Sequence, residues 1–148
     1  MRTLAIDYGD KRVGLALSDA GGSLASPLDV IIRSTDAHLI QSICKTIEHE
    51  GAERVVLGLP LNMDGTVGGG AKHMIEFAKL LRQASGLDVI LIDERLSSYD
   101  AEQQLISRKR AGEHLTRKNK KGQLDAIAAA TFLQAFLDGN LSPITFDE

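Results

Sequence analysis

The sequence predicts a single α/β domain built on a mixed five-stranded sheet. Three β-like runs open the chain with only short turns between them, which implies an antiparallel meander. Beyond them, helical and strand periods alternate, and a strand–helix–strand unit pairs its strands in parallel through a crossover. A length of 148 residues is that of one ordinary domain, long enough to bury a core without disulfides or a structural metal.

Residues 3–7 (T-L-A-I-D) and 12–18 (R-V-G-L-A-L-S) read as strands joined by the short link Tyr8-Gly9-Asp10-Lys11. The second sets Val13, Leu15 and Leu17 on one face and small residues on the other. Residues 26–33, after the Gly21-Gly22-Ser23 turn, make the third strand. The period then becomes helical: Leu39, Ile40, Ile43, Cys44 and Ile47 follow a Ser34-Thr35-Asp36 capping cluster, and Gly51 is the stop. The lone Cys44 cannot form an intramolecular disulfide and reads as a small core residue. Residues 54–59 (R-V-V-L-G-L) are a buried strand ended by Pro60; a glycine-rich loop, Gly65 to Gly70, leads into a helix from about Ala71 to Ala84, and residues 88–92 are the last strand. Ser97-x-x-Asp100 has capping-box spacing for a helix through about Ser107. The polar stretch 108–121 has no apolar period and is expected as a mobile loop before a buried, Ala-rich helix over 123–137 that Gly139 caps. Residues 1–140 are thus expected as one domain and 141–148 as a loosely ordered tail.

Hydrophobic residues at 43% and charged ones at 25% are typical of soluble globular proteins and exclude disordered, collagen-like and coiled-coil classes. The formal charge of −3 by itself argues against a nucleic-acid partner. Its distribution argues the other way. Arg108, Lys109, Arg110, Arg117, Lys118, Lys120 and Lys121 face only Glu113 within 108–121, a local +6 that leaves −9 for the remainder. Asp7 breaks the N-terminal apolar stretch before a signal core or membrane span is complete, so a cytoplasmic setting without a membrane partner is expected. No P-loop or G-x-G-x-x-G occurs, the four histidines lack zinc spacing, and Ser97 and Ser98 lie outside any G-x-S-x-G. The histidines read simply as surface or partnerless positions.

The informative feature is where carboxylates interrupt apolar elements. Asp7 ends the first strand, Asp93 and Glu94 end the last, and Asp125 lies in the expected first turn of the final helix. Singly, each has an ordinary explanation: a turn residue before Gly9, a pair with Arg95, a favourable charge on a helix N-terminus. Jointly they can converge at one sheet edge, where clustered carboxylates without basic partners repel unless a hard divalent cation joins them. Two such ions can activate a water and steady the leaving oxygen of a phosphodiester. Side chains alternate along a strand, so only one of Asp93 and Glu94 faces such a site, and which one stays open at this level.

The segments D-Y-G-D-K-R-V-G-L-A-L-S-D at 7–19, L-G-L-P-L-N-M-D-G-T at 57–66, D-E-R-L-S-S at 93–98 and L-D-A-I-A-A-A at 124–130 together resemble the YqgF family, or RuvX-type nucleases. The resemblance runs in order over essentially the whole chain. It implies an RNase H-like fold with helices on both faces of the sheet, and metal-dependent trimming of the 5′ end of precursor 16S ribosomal RNA, with Holliday-junction resolution as the alternative. It places the catalytic and metal-binding set on Asp7, Glu94 and Asp125, with Asp93 as substitute, and two Mg²⁺ or Mn²⁺ ions as cofactors. Structured RNA, in a ribosomal particle or free, is then the partner, and the chain is expected as a monomer or weak homodimer. Gly68-Gly69-Gly70 departs from the family pattern, and Ser98 stands where the family commonly has Thr.

Lys11 and Arg12, in the turn after Asp7, are placed to hold a substrate phosphate, as are Arg95 and the basic side chains of 108–121. With no Trp, two Tyr and four Phe, recognition should rest on backbone shape more than base stacking. Tyr8 is the one aromatic next to the expected site. Two rivals stand beside the nuclease. A phosphotransferase of the actin and sugar-kinase type would need a second lobe that this length lacks, and an idle RNA-binding assembly factor would ignore Asp7→Asn.

Overall fold

The computed structural model describes residues 1–9, 11–59, 69–93, 117–141 and 143, with the backbone alone for residues 59, 69–71, 93 and 117–124. The expected helix from Ser97 to about Ser107 lies outside these residues, as do most of the glycine-rich loop and the stretch 108–116.

Strands β1 (Thr3–Tyr8), β2 (Arg12–Ser18) and β3 (Ala25–Ile32) form the antiparallel meander that their short turns require. Helix α1 (Asp36–Glu50) follows, then β4 (Arg54–Leu59), helix α2 (Gly69–Ser85), β5 (Val89–Asp93) and helix α3 (Arg117–Leu137). The five strands lie in the order β3-β2-β1-β4-β5, with β1–β4 and β4–β5 parallel. β1 is therefore central, and its C-terminal end is the point where the antiparallel and parallel halves meet.

Local chemistry sets the helix ends. Thr35 adopts extended geometry and its hydroxyl accepts from the His38 amide at 3.1 Å, which starts α1 as the capping cluster predicts. Gly51 ends it in the left-handed region, φ 70°, where a side chain would be strained.

Alternation along the strands divides the core into two layers. Leu4, Ile6, Val13, Leu15, Val55 and Leu57 face α1 and α2, where they pack with Leu39, Ile43, Phe77 and Leu81. Ala5, Ala16, Val56 and Ile92 face α3 and meet Ala129, Phe132 and Leu133. Helices thus cover both faces, and the α3 layer is lined with small side chains. Small residues let a helix axis approach the sheet closely, and the limit is reached at Gly14. A Cβ built there would collide with the backbone carbonyl group of Asp125, with the Ala126 amide beside it.

One sequence expectation needs correction here. α3 begins at Arg117, so the end of the expected basic loop is helical. Lys and Arg are good helix formers, and a polar segment can extend a helix that its apolar downstream half holds in place. Of the expected tail only Leu141, which packs on the α3 layer, and Pro143, which bridges to Ile92, are among the described residues. No helix among the described residues is long and apolar enough to cross a membrane.

Gly14→Ala is expected to destabilise the domain by about 1–3 kcal/mol, because the added methyl meets main chain that cannot rotate away. Chemical denaturation of the two proteins measures the difference, and equal midpoints would show that α3 does not press on β2.

Candidate active site

Asp7 is the penultimate residue of β1 and sits opposite Gly14 in the antiparallel register. Leu4, Ile6 and Tyr8 belong to the α1–α2 layer and Ala5 to the α3 layer, so alternation turns Asp7 toward α3. Asp125 reaches the same place from the helix, because its own backbone is what lies against Gly14. One glycine therefore joins the two acidic positions. It is the opposite of Asp7 in the sheet and the floor under Asp125 in the helix.

Asp125 is eight residues beyond the start of α3, in its third turn. This corrects the expectation of a first-turn acid stabilised by the helix N-terminus, whose field does not extend so far. Arg12 supplies the compensation instead. Its Nε donates to Asp125 Oδ2 at 2.6 Å, across a strand-to-helix gap, with both side chains about one-third exposed. The carboxylates are thus not free of basic partners, as the sequence had suggested. Asp7, too, is not without a partner within the protein.

The remaining predicted site residues fall into three groups. Lys11 is exposed in the β1–β2 turn, and its carbonyl accepts from the Arg33 amide at 2.9 Å. Arg117, Lys118, Lys120 and Lys121 lie in the first two turns of α3, at the end of the helix that carries Asp125. Asp93 is the last residue of β5, while Glu94, Arg95, Arg108, Lys109 and Arg110 lie outside the described residues. Among the described residues no three acidic, His or Cys side chains come together as a metal-ligand group.

The sequence reading missed a second cluster on the other side of the same strand end. The Tyr8 hydroxyl donates to Asp36 Oδ1 at 2.6 Å, and His73 Nε2 lies 3.0 Å from Asp36 Oδ2. The Tyr8 ring meets Phe77 edge-on at 5.1 Å and carries the Arg33 guanidinium 4.9 Å from its centroid. Arg33 also donates to the Gly9 carbonyl at 3.2 Å. Tyr8, one residue beyond Asp7, is thereby clamped to α1 and α2, which fixes the strand end from behind. His73 and His38 are exposed, as the surface reading of the histidines expects, but each has a partner: Asp36 for His73, and Ser34 Oγ, 3.0 Å from Nδ1, for His38. His73 lies 65 residues from Tyr8, so no local pattern could reveal the contact.

Comparison with known proteins gives matches over the full fold. The model of a family described as "RuvX: Holliday junction resolvase" matches residues 1–139. A protein from Anaeromyxobacter sp. (strain K), named "Putative pre-16S rRNA nuclease", is 42% identical over 138 residues, covering 93% of this chain and 97% of its own. One of the same name from Syntrophomonas wolfei is 41% identical over 142 residues, covering 94% and 95%. Among solved structures, Thermus thermophilus RuvC bound to a Holliday junction superposes with a TM-score of 0.59 over 97% of this chain and 99% of its own, at 16% identity. Fowlpox virus resolvase with its junction DNA gives 0.55 at 17% identity, over 94% and 98%. At such identities these structures establish a shared RNase H-like fold.

Burial, the Asp36 hydrogen bond and the Asp36 charge, in that order, push the Tyr8 hydroxyl up to about 12, against a smaller opposing pull from Arg33. The neutral phenol is therefore favoured in the folded state. Its contribution to stability is complete below about pH 10 and is lost as pH rises through about 12. Ultraviolet titration of phenolate should show one of the two tyrosines ionising late, and Tyr8→Phe should remove that phase. Retention of the late phase in the variant would contradict the clamp.

Proposed function

The chain belongs to the RuvX family, and from that premise we propose that it is a metal-dependent nuclease that processes the 5′ end of precursor 16S rRNA. The observation that supports this reading is that Asp7 lies opposite Gly14 at the C-terminal end of the central strand while the Asp125 backbone lies against the same glycine. Ligand sites in α/β sheets favour that end, where strand order reverses around the first strand.

The donor chemistry fits a hard cation. Asp7 and Asp125 offer carboxylate oxygens only, and a positive group, the Arg12 guanidinium, already stands against one of them. Glu94 would be the third ligand on the family resemblance, with Asp93, the last residue of β5, as the substitute. Two Mg²⁺ or Mn²⁺ ions bound there supply activation of water and stabilisation of charge on the leaving oxygen. Asp7, Asp125 and Glu94 would hold them.

The chain's own side chains do the rest. Lys11 and Arg12 follow Asp7 across the β1–β2 turn and would fix the scissile phosphate, Arg12 through its planar fork. Arg117, Lys118, Lys120 and Lys121 crowd a helix N-terminus, where positive charge opposes the macrodipole. A nucleic-acid backbone relieves that repulsion, and with Arg95, Arg108, Lys109 and Arg110 these groups would track phosphates away from the cleavage point. Binding should accordingly weaken steeply with salt.

Cleavage of four-way DNA junctions is the second reading, favoured by the family's description. It requires two sites related by a two-fold axis and hence a dimer.

Incubation with a precursor 16S rRNA 5′ leader, or with a four-way junction, in Mg²⁺, Mn²⁺ or chelator tests both. Metal-dependent cleavage of the leader is expected, reduced by about a hundredfold or more in Asp7→Asn, since a metal ligand contributes several kcal/mol to the transition state. Unchanged turnover in Asp7→Asn, or cleavage in chelator, would overturn the assignment. Cleavage of the junction alone would select the second reading.

A further inference from the structure

Resting on the metal-dependent reading above, we infer that Arg12 is an exchangeable cation of the site: it neutralises Asp125 before metal loading, yields the carboxylate to the ion, and is thereby released toward the substrate phosphate. The geometry points to exchange and away from a permanent strut. Arg12 touches Asp125 through Nε alone, to a single carboxylate oxygen at 2.6 Å. It does not use the two-point fork by which a guanidinium grips a carboxylate most firmly. Both side chains are about one-third exposed, a setting in which ion pairs are weak and water assists their opening.

A positive charge is nevertheless favoured beside Asp125. The residues following Asp125 in α3, Ala126 to Ala130, are buried, and the Asp125 backbone is pressed against Gly14. Its main chain is fixed there, so the Asp125 side chain stays beside that apolar layer, where a positive neighbour is favourable even with nearly a third of the side chain in water. A divalent ion at the same separation has twice the Coulomb attraction of a guanidinium, so loading favours replacement. The freed group stays at the site, because Arg12 opens β2 and pairs in the sheet beside the turn that follows Asp7. There its fork matches two phosphate oxygens, a geometry that Lys lacks.

Two measurements on the intact protein decide the matter, both independent of turnover. Mn²⁺ calorimetry at low ionic strength should give tighter binding for Arg12→Ala and Arg12→Gln than for the wild type, by about two- to fivefold, the span of a partly exposed ion pair. In wild-type protein labelled with ¹⁵N-arginine, the Arg12 Nε–H resonance should move on Mg²⁺ addition with the midpoint of metal binding. Equal or weaker Mn²⁺ binding in both variants would overturn the exchange and identify Arg12 as a support that holds Asp125 in place. An Arg12 resonance that ignores saturating Mg²⁺ would overturn it without any substitution. Absence of Mn²⁺ binding by the wild type would overturn the exchange together with the metal site, whereas Mn²⁺ binding lost in Asp7→Asn but unaltered in both Arg12 variants would overturn the exchange alone.

Discussion

The contact between Gly14 and the Asp125 backbone governs the geometry of this protein. A side chain at Gly14 would hold α3 away from β2, and Asp125 would withdraw from the strand that pairs with Asp7. The neighbouring small residues Ala5 and Ala16, facing Ala129 and Ala130, extend the same close approach along the layer. An acidic residue in the third turn of a helix gains little from the helix dipole, and a basic side chain across the gap can neutralise it instead. Arg12 fills that role and ties the start of β2 to α3.

The end of β1 is held from both sides. Asp7 turns toward α3, and the adjacent Tyr8 turns the other way into Asp36, His73, Phe77 and Arg33. Alternation along one strand therefore turns the proposed metal ligand to one face and its support to the other within two residues. Catalytic geometry tolerates little displacement, and a strand end anchored through its opposite face is a rigid place for a carboxylate. The acidic total charge follows the same spatial logic. Basic residues gather at the start of α3 and in the segment before it, while acidic ones are spread through the rest of the chain.

Much of the fold was legible because each element carried its own signal. Apolar alternation marked β1 and β2, Thr35 and Gly51 marked α1, and short turns against long crossovers separated antiparallel from parallel pairing. The acidic positions were visible as charges interrupting apolar runs. What was hidden depends on contacts far apart in the chain. The start of α3 was obscured because its first turns have no apolar period, and that error moved Asp125 into the wrong turn. The Arg12–Asp125 pair spans 113 residues and the Tyr8–His73 contact 65, so neither leaves a trace in local spacing. Gly14 could be seen as small, but only packing reveals what it admits.

The central claim is that Asp7 and Asp125 form the two sides of one cation site beside Gly14. Anomalous scattering at the manganese edge, from crystals grown with Mn²⁺, tests it most directly. The account predicts an anomalous peak within coordination distance of carboxylate oxygens of both residues, with the α3 backbone still seated on Gly14. A peak bound elsewhere, or bound to one of the two carboxylates while the other points away, would contradict it.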